Sequence, residues 1–258
     1  MLNKRIIVVS MNIVLIGQGN VATNLHHAFA LKGLRTRMVS SREGLDSLPA
    51  ADVYIYAVRD EALLQVVQKI AEESQKPANT HLRTALHLHT SGTMPISVFG
   101  DALPHAGIMY FFQTFSKAKL IDDFSQIPVF VEGKQIDDLS AIFTLVQTLT
   151  PRVYEASQHD RERLHVAGVF ANNFTNHMYA IAADILKDTH IPFQVLLPLI
   201  DQTAEKIRHL SPHDAQTGPA KRHDEQVMNH HLSLLTTPEQ KQLYTLISQM
   251  IMQNHQLT

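Results

Sequence analysis

The chain has 258 residues, 45% of them hydrophobic and 18% charged, and its 22 basic and 24 acidic side chains leave a net charge of −2. Such a chain can bury a core without disulfide or metal staples, and it lacks the basic surplus that binding to nucleic acid or anionic lipid normally requires. It contains no cysteine, which excludes a disulfide framework, thiolate metal sites, iron–sulfur ligation and a cysteine nucleophile.

Residues 1–10 carry two basic side chains and a four-residue apolar stretch, too short for a signal peptide and followed by no cleavage site. They read as an extension ahead of Met11, which opens the first strand. No apolar run approaches the ~20 residues that span a bilayer, so the expectation is a soluble, cytoplasmic protein with no membrane partner.

Short β-rich runs then alternate with helical spacing. Strands are predicted at 11–16, 34–40, 52–58, 84–89, 105–110, 128–132 and 152–154, with helices at 21–32, 61–73 and 136–149. This alternation predicts an α/β fold with a mostly parallel sheet of Rossmann type. After residue 155 the pattern turns helical: 161–187, 193–210, 225–235 and 240–254, with a polar loop over 211–224. The division expected is a dinucleotide-binding domain at 1–154 and a smaller all-α substrate and dimerisation domain at 155–258.

Directly after the first strand comes Gly17-Gln-Gly-Asn-Val-Ala22, a G-x-G-x-x-A motif opening a helix. Gly17 permits the tight turn, Gly19 admits a pyrophosphate to the backbone, and Ala22 lets helix and strand approach. Gln18, Asn20 and Val21 complete a loop whose N–H groups point at phosphate. Strand two ends in Ser40-Ser41-Arg42, where an NAD enzyme places an acid. Arg42 forms a charge-assisted fork to a 2′-phosphate and the serines donate, so NADP is expected over NAD.

Further along the sheet edge, Val58 and Arg59 are read as skirting the adenosine half. His89, Thr90, Ser91 and Gly92 follow the fourth strand, facing the nicotinamide or the substrate. Lys117 follows the fifth and is suited to holding a carboxylate or phosphate. His165, Gly168, Asn172 and Asn176 recur at helical spacing and are expected on one face. His165 is read as the donor of the proton that accompanies hydride addition, and Asn172, Ser91 and Lys117 as positioning groups. The loop Gln216-Thr-Gly-Pro219 with Lys221 and Arg222 could close over a substrate. Among sixteen histidines, His87 and His89 share a strand face, but no H-E-x-x-H pattern or carboxylate at helical spacing completes a zinc site. No metal site is expected.

The chain resembles a family of Rossmann-like NADP-binding proteins that carry a C-terminal helical domain of unknown function. The resemblance rests on Gly17–Ala22, His89-Thr-Ser-Gly92, Gln113-Thr-Phe-Ser-Lys117, Val169-Phe-Ala-Asn-Asn-Phe174 with His177, and Ala215-Gln-Thr-Gly-Pro-Ala220 with Arg222 and Asp224. That family is similar to pyrroline-5-carboxylate reductase, β-hydroxyacid dehydrogenases and deazaflavin-dependent NADP reductases. It implies an NADP-binding oxidoreductase fold and a homodimer built through the helical domain. Related dehydrogenases carry a catalytic cation and an asparagine on the long helix, and His165 and Asn172 are the closest counterparts. One departure is Tyr110-Phe-Phe112, where the family pattern has a proline. The expected activity is hydride transfer between NADP(H) and a small carbonyl, imine or hydroxyacid in a cleft between the domains. The alternative is a nucleotide-binding sensor that keeps the fold without the chemistry.

Overall fold

Four consecutive buried side chains, Ile13, Val14, Leu15 and Ile16, make β1 (Asn12–Ile16) a strand covered on both faces. Such a run suits the centre of a parallel sheet, where helices shield each side. The computed structural model describes residues 11–255 and bears this out; the extension read at residues 1–10 lies outside the described residues. The seven strands are β1, β2 (Arg35–Val39), β3 (Val53–Tyr56), β4 (Leu86–His89), β5 (Ala106–Phe111), β6 (Val129–Gly133) and β7 (Val153–Glu155). They lie in the order β2-β1-β3-β4-β5-β6-β7. All neighbours are parallel except β5 and β6.

The two-residue pleat sorts β1 between two cores. Ile13 and Leu15 lie in one core with Leu25 and Phe29 of α1 (Asn20–Leu31) and, further along the sheet, Ile142 and Leu145 of α3 (Ile136–Val146). Val14 and Ile16 face Leu63, Val67 and Ile70 of α2 (Asp60–Ser74), with Tyr54, Tyr56 and Phe99. Each such side chain contributes roughly 1.5–3 kcal/mol by leaving water. Asn24, fully buried in α1, donates to the Asn20 and Ser116 carbonyls and accepts from the Ile121 N–H, so the segment after β5 is pinned to the glycine loop.

By packing, the chain divides into one compact unit that ends at Val169 and a second that begins at Phe170. The sheet ends at Glu155, but α4 (Gln158–Gly168) packs with the sheet unit. The single helix expected over 161–187 is not uniform: α4 gives way to a π-helical turn at Val169–Phe174, and α5 (Thr175–Leu186) follows. A π turn takes i→i+5 bonds, and the Thr175 hydroxyl adds a bond to the Phe170 carbonyl at 3.0 Å.

The second unit continues with α6 (Leu197–Lys206), α7 (Glu225–Leu234) and α8 (Pro238–Asn254). Asp224 and Thr237 begin α7 and α8 by accepting from the Val227 and Gln240 N–H groups, each the N-cap bond that satisfies an orphan donor. Within the polar loop, Ser211 caps a single turn at Pro212–Ala215. Among the described residues, no helix is long and apolar enough to cross a membrane.

Candidate dinucleotide groove and sheet-edge site

Gly17 is held at φ +125°, and its N–H donates to the Val39 carbonyl at 2.9 Å. A Cβ there would lie 2.3 Å from the Ala57 carbonyl oxygen, so the crossing from β1 to α1 admits only glycine. Gly19 is different, for nothing stands within 4 Å of where its Cβ would be. It caps α1 with no side-chain bond, and the first turn carries no acid. Bare N–H groups, open space and an unopposed helix dipole are what a pyrophosphate requires. Ala22 is fully buried under the loop, as close helix–strand packing demands.

The loop opens into a groove of about 1090 Å³ lined by Gly17–Val21, Ser40–Glu43, Val58, Arg59 and Thr90, with Ala62, Gln65, Val66 and Lys69 from α2. Three cations, Arg42, Arg59 and Lys69, meet one acid, Glu43. The Ser40 hydroxyl accepts from the Arg42 N–H at 3.1 Å, which shapes the turn presenting the guanidinium. Sequence reasoning missed Gln65 and Lys69, although 62, 65, 66 and 69 trace one helical stripe in which two polar residues stand beside two apolar ones.

At the β4 end the expected residues take unequal places. His89 is fully buried, stacked on Phe99 with centroids 5.7 Å apart. Its Nδ1 accepts from the Ser91 N–H and its Nε2 has no partner. Burial first, then the Arg161 charge, lower its pKa to about 4. His87 is also lowered to about 4, chiefly by burial. Its Nε2 lies 2.6 Å from the Leu82 carbonyl and its Nδ1 2.8 Å from the Tyr56 hydroxyl. These two are core groups, and among the described residues no cluster of three or more metal-ligating side chains forms. The Ser91 hydroxyl accepts from the Thr93 and Met94 N–H groups and so shapes its own turn. Thr93 in turn donates to Asp60 at 2.5 Å.

His165, exposed on α4, places its Nδ1 3.2 Å from the Tyr110 hydroxyl at the end of β5. Tyr110 is half-buried, and desolvation followed by the Asp60 charge raises its pKa. Lys117 is exposed, and its backbone N–H donates to Asn20 Oδ1 at 3.3 Å, so it stands beside the first turn of α1. Asn172 and Asn176 follow Val169 in the second unit, Asn172 within the π turn. The shared face expected for them with His165 assumed 3.6 residues per turn, and the π turn breaks that count.

Arg161 went unnoticed as a site-supporting residue. It is fully buried, pairs through Nη1 with Glu132, and donates to the Ala156 carbonyl at 2.9 Å. A fully buried arginine carries no periodic signature, because it looks like any solvent-facing position at a helix start.

Residues 127–251 match the domain of unknown function DUF2520. A Bacteroides fragilis protein, provisionally named as an NADP oxidoreductase, is 39% identical, with 95% of this chain and 99% of that one covered and a TM-score of 0.86. A Myxococcus stipitatus imine reductase solved with NADP+ is 13% identical (94% and 92% covered, TM-score 0.56). A Plasmodium falciparum pyrroline carboxylate reductase solved with NADP is 9% identical (95% and 100% covered, TM-score 0.57). These two share the fold. Among proteins of curated function, none matches the chain.

Proposed function

This chain belongs to the Rossmann-like family of the Bacteroides fragilis protein, and from that premise we propose that it is an oxidoreductase exchanging a hydride between NADP(H) and a small carbonyl, imine or hydroxyacid. The observation that carries this reading is the groove: one cavity lined by the open Gly19 cradle and by Arg42, Arg59 and Lys69 with a single acid. Bound NADPH supplies the hydride. Gly17–Val21 hold its pyrophosphate through backbone N–H groups, while Arg42 with Ser40 and Ser41 takes the 2′-phosphate. His165, beside Tyr110 at the end of β5, is the group that handles the proton, with Lys117 beside the phosphate loop and Asn172 as a positioning group.

Titration calorimetry tests the cofactor directly. Arg42→Ala is expected to weaken NADPH by about 10- to 100-fold, the worth of one or two charge-assisted hydrogen bonds, and to leave NADH within about twofold. Equal affinity for NADPH and NADH in the unaltered protein would remove the 2′-phosphate site.

A second copy of this chain is the partner proposed. Among the described residues, α5, α6 and α8 bury no side chain, and Phe170, Leu199, Leu234 and Leu246 are each more than half exposed. Apolar surface left this bare marks an association site. Sedimentation equilibrium is expected to give twice the chain mass, and Leu199→Glu combined with Leu246→Glu to give monomer. A monomeric unaltered protein at micromolar concentration would reject the homodimer.

A further inference from the structure

Tyr110 has no role in the chemistry so far, yet its surroundings are built around it. Its ring lies flat over Gly92, where a Cβ would stand 2.7–3.0 Å from three ring carbons. Phe112 meets it edge-on at 6.1 Å between centroids. The hydroxyl reaches His165 Nδ1 at 3.2 Å. Two links tie this pair to the groove. Gly92, under the ring, shares a turn with Thr90, which lines the groove; Asp60, whose charge acts on the phenol, follows Arg59, which also lines it. Asp60 is fixed by Thr93, and Thr93 by Ser91.

We propose that the Tyr110 hydroxyl gives the proton to the substrate and His165 replenishes it, and that the substrate therefore enters as a neutral carbonyl or imine and not as a preformed iminium. The inference rests on the reading that this unit uses hydride from bound NADPH. When hydride adds to a carbonyl carbon, a C–H bond forms and the C=O π pair moves to oxygen, which then needs a proton. A neutral phenol aimed at that oxygen stabilises the developing charge and transfers its proton. A neutral imine needs the same proton on nitrogen, whereas a preformed iminium yields a neutral amine and no proton moves in that step. Burial and the Asp60 carboxylate both disfavour tyrosinate, so Tyr110 keeps its proton in the neutral range. With the His165 Nδ1–H donating to Oη, the phenol's own O–H is free for the substrate. As the alcohol forms, Oη takes the Nδ1 proton, and the exposed imidazole recovers a proton from water.

The test pairs Tyr110→Phe with the unaltered protein. Turnover of NADPH is followed with a panel of small aldehydes, ketones, 2-oxoacids and neutral imines and a matching panel of N-methylated cyclic iminium ions. Reduction of the neutral substrates is expected, and Tyr110→Phe should lower its kcat by about 100-fold or more, the usual worth of a general acid, with NADPH affinity unchanged by calorimetry. Independently of activity, the ring 15N resonances of His165, assigned by their loss in His165→Asn, should move on Tyr110→Phe in the cofactor-free protein. Unchanged kcat, unmoved His165 resonances, or reduction of iminium ions with the neutral substrates left untouched would each overturn the proposal. A protein that binds NADPH but reduces neither carbonyl nor neutral imine refutes this inference alone, whereas one that binds no NADPH refutes the oxidoreductase reading beneath it.

Discussion

Arg161→Ala is expected to cost the sheet unit about 3–5 kcal/mol, the penalty for breaking a buried ion pair from one side. The guanidinium is fully enclosed. It joins α4 to Glu132 on β6 and to the Ala156 carbonyl, with Nη2 reaching the Met94 carbonyl at 3.5 Å. Removing it leaves the partly exposed Glu132 carboxylate without its partner and opens a void the length of an arginine. Both effects act together with the loss of the anchor that holds α4, and hence His165, against the sheet. The urea midpoint of unfolding should fall accordingly, with a shift in midpoint and not in slope. Arg161→Met with Glu132→Gln discriminates the causes. It restores volume and removes the orphaned charge, so it should recover most of the stability, as replacement of a buried pair commonly does. A single substitution that leaves the midpoint unmoved would show that Arg161 is dispensable to the fold.

Arg161 also shows where the sequence stops being readable. The strand sequence, the glycine loop and the Ser40-Ser41-Arg42 turn were legible because each follows from local rules: apolar run length, turn geometry, and charge at a fixed distance along the chain. The groove gathers all of those cofactor-side residues except Ala22 and His89, which are buried. His89 was placed at the right strand end, but strand register turns its ring toward Phe99, and alternation on a doubly covered strand gives no sign of which face is which. Tyr110 was visible only as a departure from a family pattern. Its meeting with His165 spans 55 positions, and only the tertiary fold brings them together. The π turn escaped notice for a different reason. Val169–Phe174 sits inside an unbroken apolar-periodic stretch with no proline, and its weak helix formers do not tell a π turn from an α one.

Acid should weaken the protein well before its surface carboxylates protonate. His87 and His89 stand two apart on β4 in one core, and both have a pKa lowered to about 4 against an ordinary 6.5. For His87 the cause is burial, opposed by its bond to the Leu82 carbonyl. The neutral ring satisfies both partners, with Nε2–H donating to Leu82 and Nδ1 accepting from the Tyr56 hydroxyl. A second proton would set two donors against each other in a buried site. For His89 the cause is burial followed by the neighbouring Arg161 charge. The unfolded chain takes up both protons below about pH 6.5, while the folded chain resists until about pH 4. Stability therefore stands in full above pH 6.5 and drains away as pH falls toward 4, by about 3 kcal/mol for each ring. Urea midpoints measured from pH 7.5 to 4.5 should decline with this sign. His89→Leu, which cannot take up the proton, should flatten the decline by about half. A profile level across that range would mean that the two rings open to solvent in the native state, and the packing of β4 against Phe99 would have to be redrawn.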